Sequence, residues 1–135
     1  MERTTARRYP PTPRTANESA ASDGRAAPPR VGEEYDIRFD NADSAKGWDE
    51  LARTAPANLR RAFEAIRDTP RPTPSNERNH RLRGSLSTAS RSGADLEQWQ
   101  FEVTAGGRIW YLIEDMSRTV WVTYAGTGHP KATDR

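Results

Sequence analysis

The sequence predicts an α+β domain in the order β-αα-ββββ, a single antiparallel sheet with a helical hairpin packed on one face. Three observations lead there. Residues 35–39 alternate apolar and polar side chains. Two apolar stripes at helical spacing follow, separated by Pro56. The remainder is a series of alternating or apolar runs punctuated by glycine turns.

Taken in order, the first 32 residues of the 135 are expected to be a disordered tail. They are dominated by Pro, Ala, Thr, Ser and Arg and show no apolar period. Such a stretch cannot bury enough surface to offset an ordering entropy of about 1–2 kcal/mol per residue. The folded domain is expected over residues 33–135. Tyr35-Asp36-Ile37-Arg38-Phe39 has the period of a half-buried strand. Asn41-Ala42-Asp43-Ser44 is a capping cluster, and Trp48, Leu51, Ala52 and Ala55 then fall on one helical face. Pro56 ends that helix or opens the next, whose stripe is Leu59, Phe63 and Ile66. Arg60, Glu64 and Arg67 sit on its wet side, and Pro70, Pro72 and Pro74 stop it.

The remaining elements are strands. His80 to Leu86 is a short, edge-type strand, and Thr88 to Ala94 reads as a Ser/Gly loop. From Gln98 to Val103, Trp99, Phe101 and Val103 take one face and Gln98, Gln100 and Glu102 the other. Gly106-Gly107 supplies a turn. Arg108 to Glu114 is apolar on both faces, as a central strand should be, and Val120 to Tyr124 is the last strand.

Composition narrows the function. The chain is 33% hydrophobic and 30% charged, with a mean hydropathy of -0.99. No run approaches the ~20 apolar residues of a membrane helix. No secretory leader is visible, and a cytoplasmic protein is expected. With no cysteines, a disulfide scaffold, a thiolate metal site and a cysteine nucleophile are excluded, and two histidines are too few for a His-rich metal site. Neither a metal nor a small-molecule cofactor is expected. The net charge is only +2, but 19 of the 21 basic residues are arginine, the better side chain for forked contacts to phosphate.

There is no GxxxxGK[ST] loop, no HExxH and no GxSxG elbow. What remains is a basic set. Arg78, Arg81 and Arg83 lie near the second strand, Arg108 opens the central strand, and His129 and Lys131 follow the last. Arg81 and Arg83 are two apart and share a strand face, which is solvent if Leu82 points inward. Such a face suits a polyanion.

From about Tyr35 onward the chain resembles the RelE/ParE family of toxins from type II toxin–antitoxin systems. The residues that carry the resemblance are His80-Arg81-Leu82-Arg83-Gly84, Trp99 to Val103, Gly107-Arg108-Ile109-Trp110-Tyr111-Leu112-Ile113, and Val120 to Tyr124 with Gly128-His129-Pro130-Lys131. They follow a helical hairpin, and the likeness covers about 100 of the 135 residues. It implies a RelE-like fold, a cognate antitoxin partner, and the ribosome and its mRNA as targets. Members of the nuclease branch cut mRNA in the ribosomal A site without a metal, the 2′-hydroxyl attacking the adjacent phosphate. By position, Arg108 matches the arginine that stabilises the phosphate. Arg81 and Arg83 match the RNA-contacting strand, and His129 or Lys131 matches the C-terminal acid/base or phosphate-binding position.

The first expectation is therefore a ribosome-dependent mRNA endoribonuclease toxin. The pattern also departs from the family. Gln100 and Glu102 stand where nucleases tend to carry lysines, no tyrosine follows Lys131, and Pro130 interrupts the basic run. These departures favour the alternative, a non-nucleolytic ParE-like gyrase inhibitor or an inactive binding protein of the same fold. A free-standing RNA-binding module is a third class, disfavoured by the lack of an RNP signature or a Gly-x-x-Gly clamp.

Overall fold

A computed structural model describes residues 24–26 and 28–128. Strand β1 (Arg25–Ala26) is followed by β2 (Asp36–Phe39), α1 (Ala42–Thr54), α2 (Pro56–Asp68) and β3 (Asn79–Arg81). A single 3₁₀ turn (Gly84–Leu86) precedes β4 (Thr88–Arg91), β5 (Ala94–Glu102), β6 (Arg108–Glu114) and β7 (Thr119–Gly126). The expected α+β class holds. One sheet runs in the order β1-β2-β7-β6-β5-β3, with β4 also paired to β5.

The helices begin where the caps dictate. The Asn41 side-chain oxygen accepts the Ser44 amide at 2.7 Å. Pro56 opens α2, where its missing N–H costs nothing. The buried stripe Leu51, Leu59, Ala62, Phe63 and Ile66 packs on Ile37, Trp99, Val103, Ile109, Tyr111, Ile113, Val120 and Val122. Trp48 sits edge-on between the rings of Phe39 and Phe63, with centroids at 5.6 and 6.4 Å. Helix α1 lies so close to β7 that a Cβ at Gly47 would fall 1.7 Å from the carbonyl oxygen of Ala125.

Four features differ from the sequence expectation. First, pairing starts before residue 33. Arg25 and Ala26 add an antiparallel strand to β2, opposite Arg38 and Ile37. Backbone hydrogen bonds carry this pairing, so no apolar period announces it. Second, the sheet is not antiparallel throughout, because β2 and β7 are parallel. Parallel neighbours need a long connection, and everything from Asp40 to Arg118 supplies it.

Third, the strand expected over 80–86 stops at Arg81. The Leu82 amide still donates to Gln98 O, but the Gln98 amide donates to Ser87 O, five residues further on. Residues 83–86 therefore bulge out of the edge, helped by the left-handed Gly84 (φ +61°). Fourth, the expected Ser/Gly loop is a hairpin. Ser92 and Gly93 both have positive φ (51° and 83°), the two-residue turn whose twist matches its flanking strands, and Arg91 pairs with Ala94.

The face of β6 turned away from the helices is also buried. Trp110 is 4% and Leu112 1% exposed. The β4–β5 hairpin folds back over this side. The Arg91 guanidinium lies 3.4 Å from the Trp121 ring centroid and 3.4 Å from an Asp40 carboxylate oxygen. Thr123 Oγ1 and Gln98 Oε1 meet at 3.0 Å beneath it.

Candidate nucleic-acid interface

Strand alternation sets what the helix-free face presents. Gln98, Gln100 and Glu102 of β5 lie beside Leu112, Trp110 and Arg108 of β6 in direct register. Trp110 in turn lies opposite Tyr124, their rings crossing edge-on at 6.2 Å. The Trp110 indole N–H donates to Gln100 Oε1 at 2.8 Å, which fixes both side chains. At the other end of the face, Trp121 lies against two cations, Arg91 at 3.4 Å and Arg38 at 5.8 Å. The Trp121 indole N–H donates to Glu114 at 2.9 Å, and with Ser117 it holds that carboxyl below its ordinary range. The face thus combines three arginines with two half-buried aromatic rings, Trp121 and Tyr124, beside the buried Trp110, and arginines with accessible rings are the pairing that holds phosphates and stacks bases.

Arg108 is the distinctive group. It lies opposite Glu102 across the β5–β6 turn, yet the two form no ion pair, and Arg108 has none with any described residue. Its Nε is buried without a hydrogen-bond partner. An unsatisfied buried donor of this kind costs about 1–3 kcal/mol, which an approaching oxyanion would offset.

The rest of the predicted basic set is not gathered here. The Arg78 guanidinium donates to Glu102 O at 3.1 Å and lines a groove on the helical side with Phe101. Arg81 is the register partner of Trp99 and so points to the helical side too. Its Nε donates to Ser87 O at 3.0 Å, and a second nitrogen is 3.9 Å from Glu97. Leu82 is buried as expected, but Arg83 has left the strand by then. It shares a shallow depression with His80, Ser75, Asn76 and Glu77. Arg81 and Arg83 thus do not form one strand face. His129 and Lys131 lie outside the described residues. The described chain ends at Gly128, whose carbonyl accepts the Tyr124 hydroxyl, beside the Trp110 and Arg108 end of the face.

Sequence reasoning missed Arg91, Trp121 and Arg38 as neighbours. Trp121 did carry a signal, since an aromatic residue between Val120 and Val122 must point away from the core those two fill. Arg91 carried none, because its position depends on the β4–β5 fold-back. His80 pairs with Gln100 and belongs to the helix-free side, the one histidine the described residues place there.

A second polar cluster lies on the helical side and is structural. Arg71 bridges Glu97 at 2.9 Å and Asp115 at 3.1 Å, and the Tyr35 hydroxyl donates to Asp115 at 2.7 Å. Burial disfavours both carboxylates, but these donors outweigh it and hold Glu97 and Asp115 below their ordinary range. The cluster pins the proline-rich loop to β5. Compared with known proteins, the chain matches no protein-family model and no curated protein sequence.

Proposed function

We propose that the protein is the toxin of a type II toxin–antitoxin pair, a RelE-like mRNA endoribonuclease that works on ribosome-bound message. The observation that carries this reading is Arg108. It is an arginine without a carboxylate partner, its Nε desolvated, on a helix-free face with aromatic rings. A metal-independent cut needs positive charge on the developing phosphorane, a base for the 2′-hydroxyl and an acid for the leaving oxygen. Arg108 supplies the charge. Proton transfer falls to His129, just beyond Gly128, with Lys131 as a further cation. Tyr124, half-buried at the Arg108 end of the face, is the ring offered to an unpaired base, and the buried Trp110 supports it edge-on.

The antitoxin docks on the helical hairpin. Trp48, Ala52, Leu59 and Phe63 line an apolar cleft there with Pro28. Copurification with the product of an adjacent small acidic reading frame is expected. A harmless monomer with no such partner contradicts the toxin assignment.

One observation favours a second reading, in which the same fold binds a protein target and cuts nothing. Glu102 and Gln100 are the cross-strand neighbours of Arg108 and Trp110, so the face offers a carboxylate and a neutral amide where an RNA path gains most from cations. Induced expression with mapping of mRNA 5′ ends separates the two. New ends within codons of translated messages support the nuclease. Growth arrest without new ends supports the binding protein.

A further inference from the structure

A groove lies on the helical side of the sheet, the face away from Arg108, between α2, the proline-rich loop and the β3–β5 edge. It is an open groove of about 540 Å³, within the ~300–1,000 Å³ of small-molecule sites. Phe101, half-buried, is the aromatic residue that lines it. Arg61 and Arg78 are its cations, Glu64 and Asp68 its acids.

The two kinds of charge are not equivalent. Glu64 is already paired with Arg60 at 2.7 Å and Asp68 with Arg67 at 2.8 Å. The hydrogen bond from Arg67 holds the Asp68 carboxyl below its ordinary range, so that pair stays ionised and self-neutralised at neutral pH. The cations are held differently. Arg78 donates to the backbone carbonyl of Glu102 at 3.1 Å. Arg61 donates to the Asn58 side-chain oxygen, and the Asn58 amide donates to Val103 O at 3.1 Å. Both guanidinium groups are thus tethered to the backbone immediately after Phe101, and neither has a carboxylate partner among the described residues. Each keeps its full charge and has further N–H donors to offer.

We propose that this groove binds a phosphorylated nucleoside, its base stacked on Phe101 and its phosphate held by Arg61 and Arg78. An aromatic side chain beside two tethered guanidinium groups without carboxylate partners suits a planar ring carrying a dianion. Arginine forks are suited to phosphate oxygens. The site is separate from the Arg108 face and does not depend on the toxin reading. A free nucleotide and the 5′-phosphorylated end of an RNA strand share this chemistry.

Isothermal titration calorimetry on the full chain tests it, with AMP, GMP, adenosine and a 5′-phosphorylated tetra-adenylate as probes. AMP or GMP should bind with a Kd at or below about 1 mM, and adenosine at least tenfold more weakly. The tetranucleotide exceeding AMP by tenfold or more identifies an RNA end as the occupant, and equal affinity identifies the free nucleotide. Arg61→Ala and Arg78→Ala should each weaken binding at least tenfold. Phe101→Leu keeps an apolar side chain in the core and should weaken it several-fold, while circular dichroism shows each variant folded. The proposal is overturned if no probe binds at 5 mM. It is equally overturned if folded Arg61→Ala and Arg78→Ala variants bind like the parent.

Discussion

Single residues in this chain are placed by which polar partners they can reach. Tyr111 is fully buried on the central strand. Its hydroxyl donates to Pro70 O at 2.7 Å and accepts from the Asn79 amide at 2.9 Å. Burial therefore pushes its ionisation well above the ordinary tyrosine range. Tyr111→Phe leaves the Pro70 carbonyl without its donor, whereas the Asn79 amide keeps Gln100 O at 3.0 Å. The expected cost is about 1–2 kcal/mol, read as a lower urea midpoint at unchanged slope. A phenylalanine variant as stable as the parent would show that this tie to the proline-rich loop contributes nothing. Arg108 was legible as a candidate from its place after Gly106-Gly107. Its missing ion pair with Glu102 was not, because register alone brings the two together and only side-chain geometry shows that they do not join. Arg81 and Arg83 read as sharing one strand face, but the bulge at residues 83–86 takes Arg83 out of the strand, and an edge bulge leaves no period in the sequence.

At the scale of elements, the helices, β5 and β7 follow from periodicity, since one face of each is buried, and β6 from an unbroken apolar run, since both of its faces are buried. The β4–β5 hairpin was illegible for the converse reason. Thr88 to Arg91 is short and polar, and it is held by pairing with β5 and by Arg91 on Trp121 rather than by a buried stripe. The approach of α1 to β7 is set by Gly47. Glycine in mid-helix normally costs roughly 0.5–1 kcal/mol relative to alanine, so Gly47→Ala would stabilise an isolated helix. Here the added methyl would meet the Ala125 carbonyl at 1.7 Å, and a strand backbone cannot swing aside. Overpacking should dominate, for a net loss of at least about 2 kcal/mol and a melting temperature lower by on the order of 10 °C. A rise in melting temperature would mean that α1 sits further from β7 than described.

For the whole molecule, the shifted groups set the pH range of stability. Glu97, Asp115, Glu114 and Asp68 all ionise below their ordinary values in the fold. Their contribution is complete above the unfolded values near 4 and is lost as the pH falls through the lower folded values. Tyr35 is shifted the other way, by burial and by its bond to Asp115, and Tyr111 by burial. Their contribution is complete below the unfolded value of 10.0 and is lost as the pH rises through the folded values. Denaturation midpoints should therefore form a plateau between about pH 5 and 9 and fall on both sides. Arg71→Ala should flatten the acid fall, because Arg71 bonds both Glu97 and Asp115. An acid limb unchanged in that variant would show that other carboxylates govern it.

The proposed activity of a ribosome-dependent nuclease rests on Arg108, and cell-free translation tests it most directly. Purified parent and Arg108→Ala protein are added to translating ribosomes, and message 5′ ends are mapped. Arg108 opens its strand with no ion pair, so the variant should keep the parent's melting temperature within a few degrees. The parent should cut ribosome-bound message and spare free mRNA, and the folded variant should cut at least about a hundredfold more slowly, as expected when a charge on the transition state is removed. Equal cutting by the two proteins, or no cutting of translated message by the parent, would contradict the proposal.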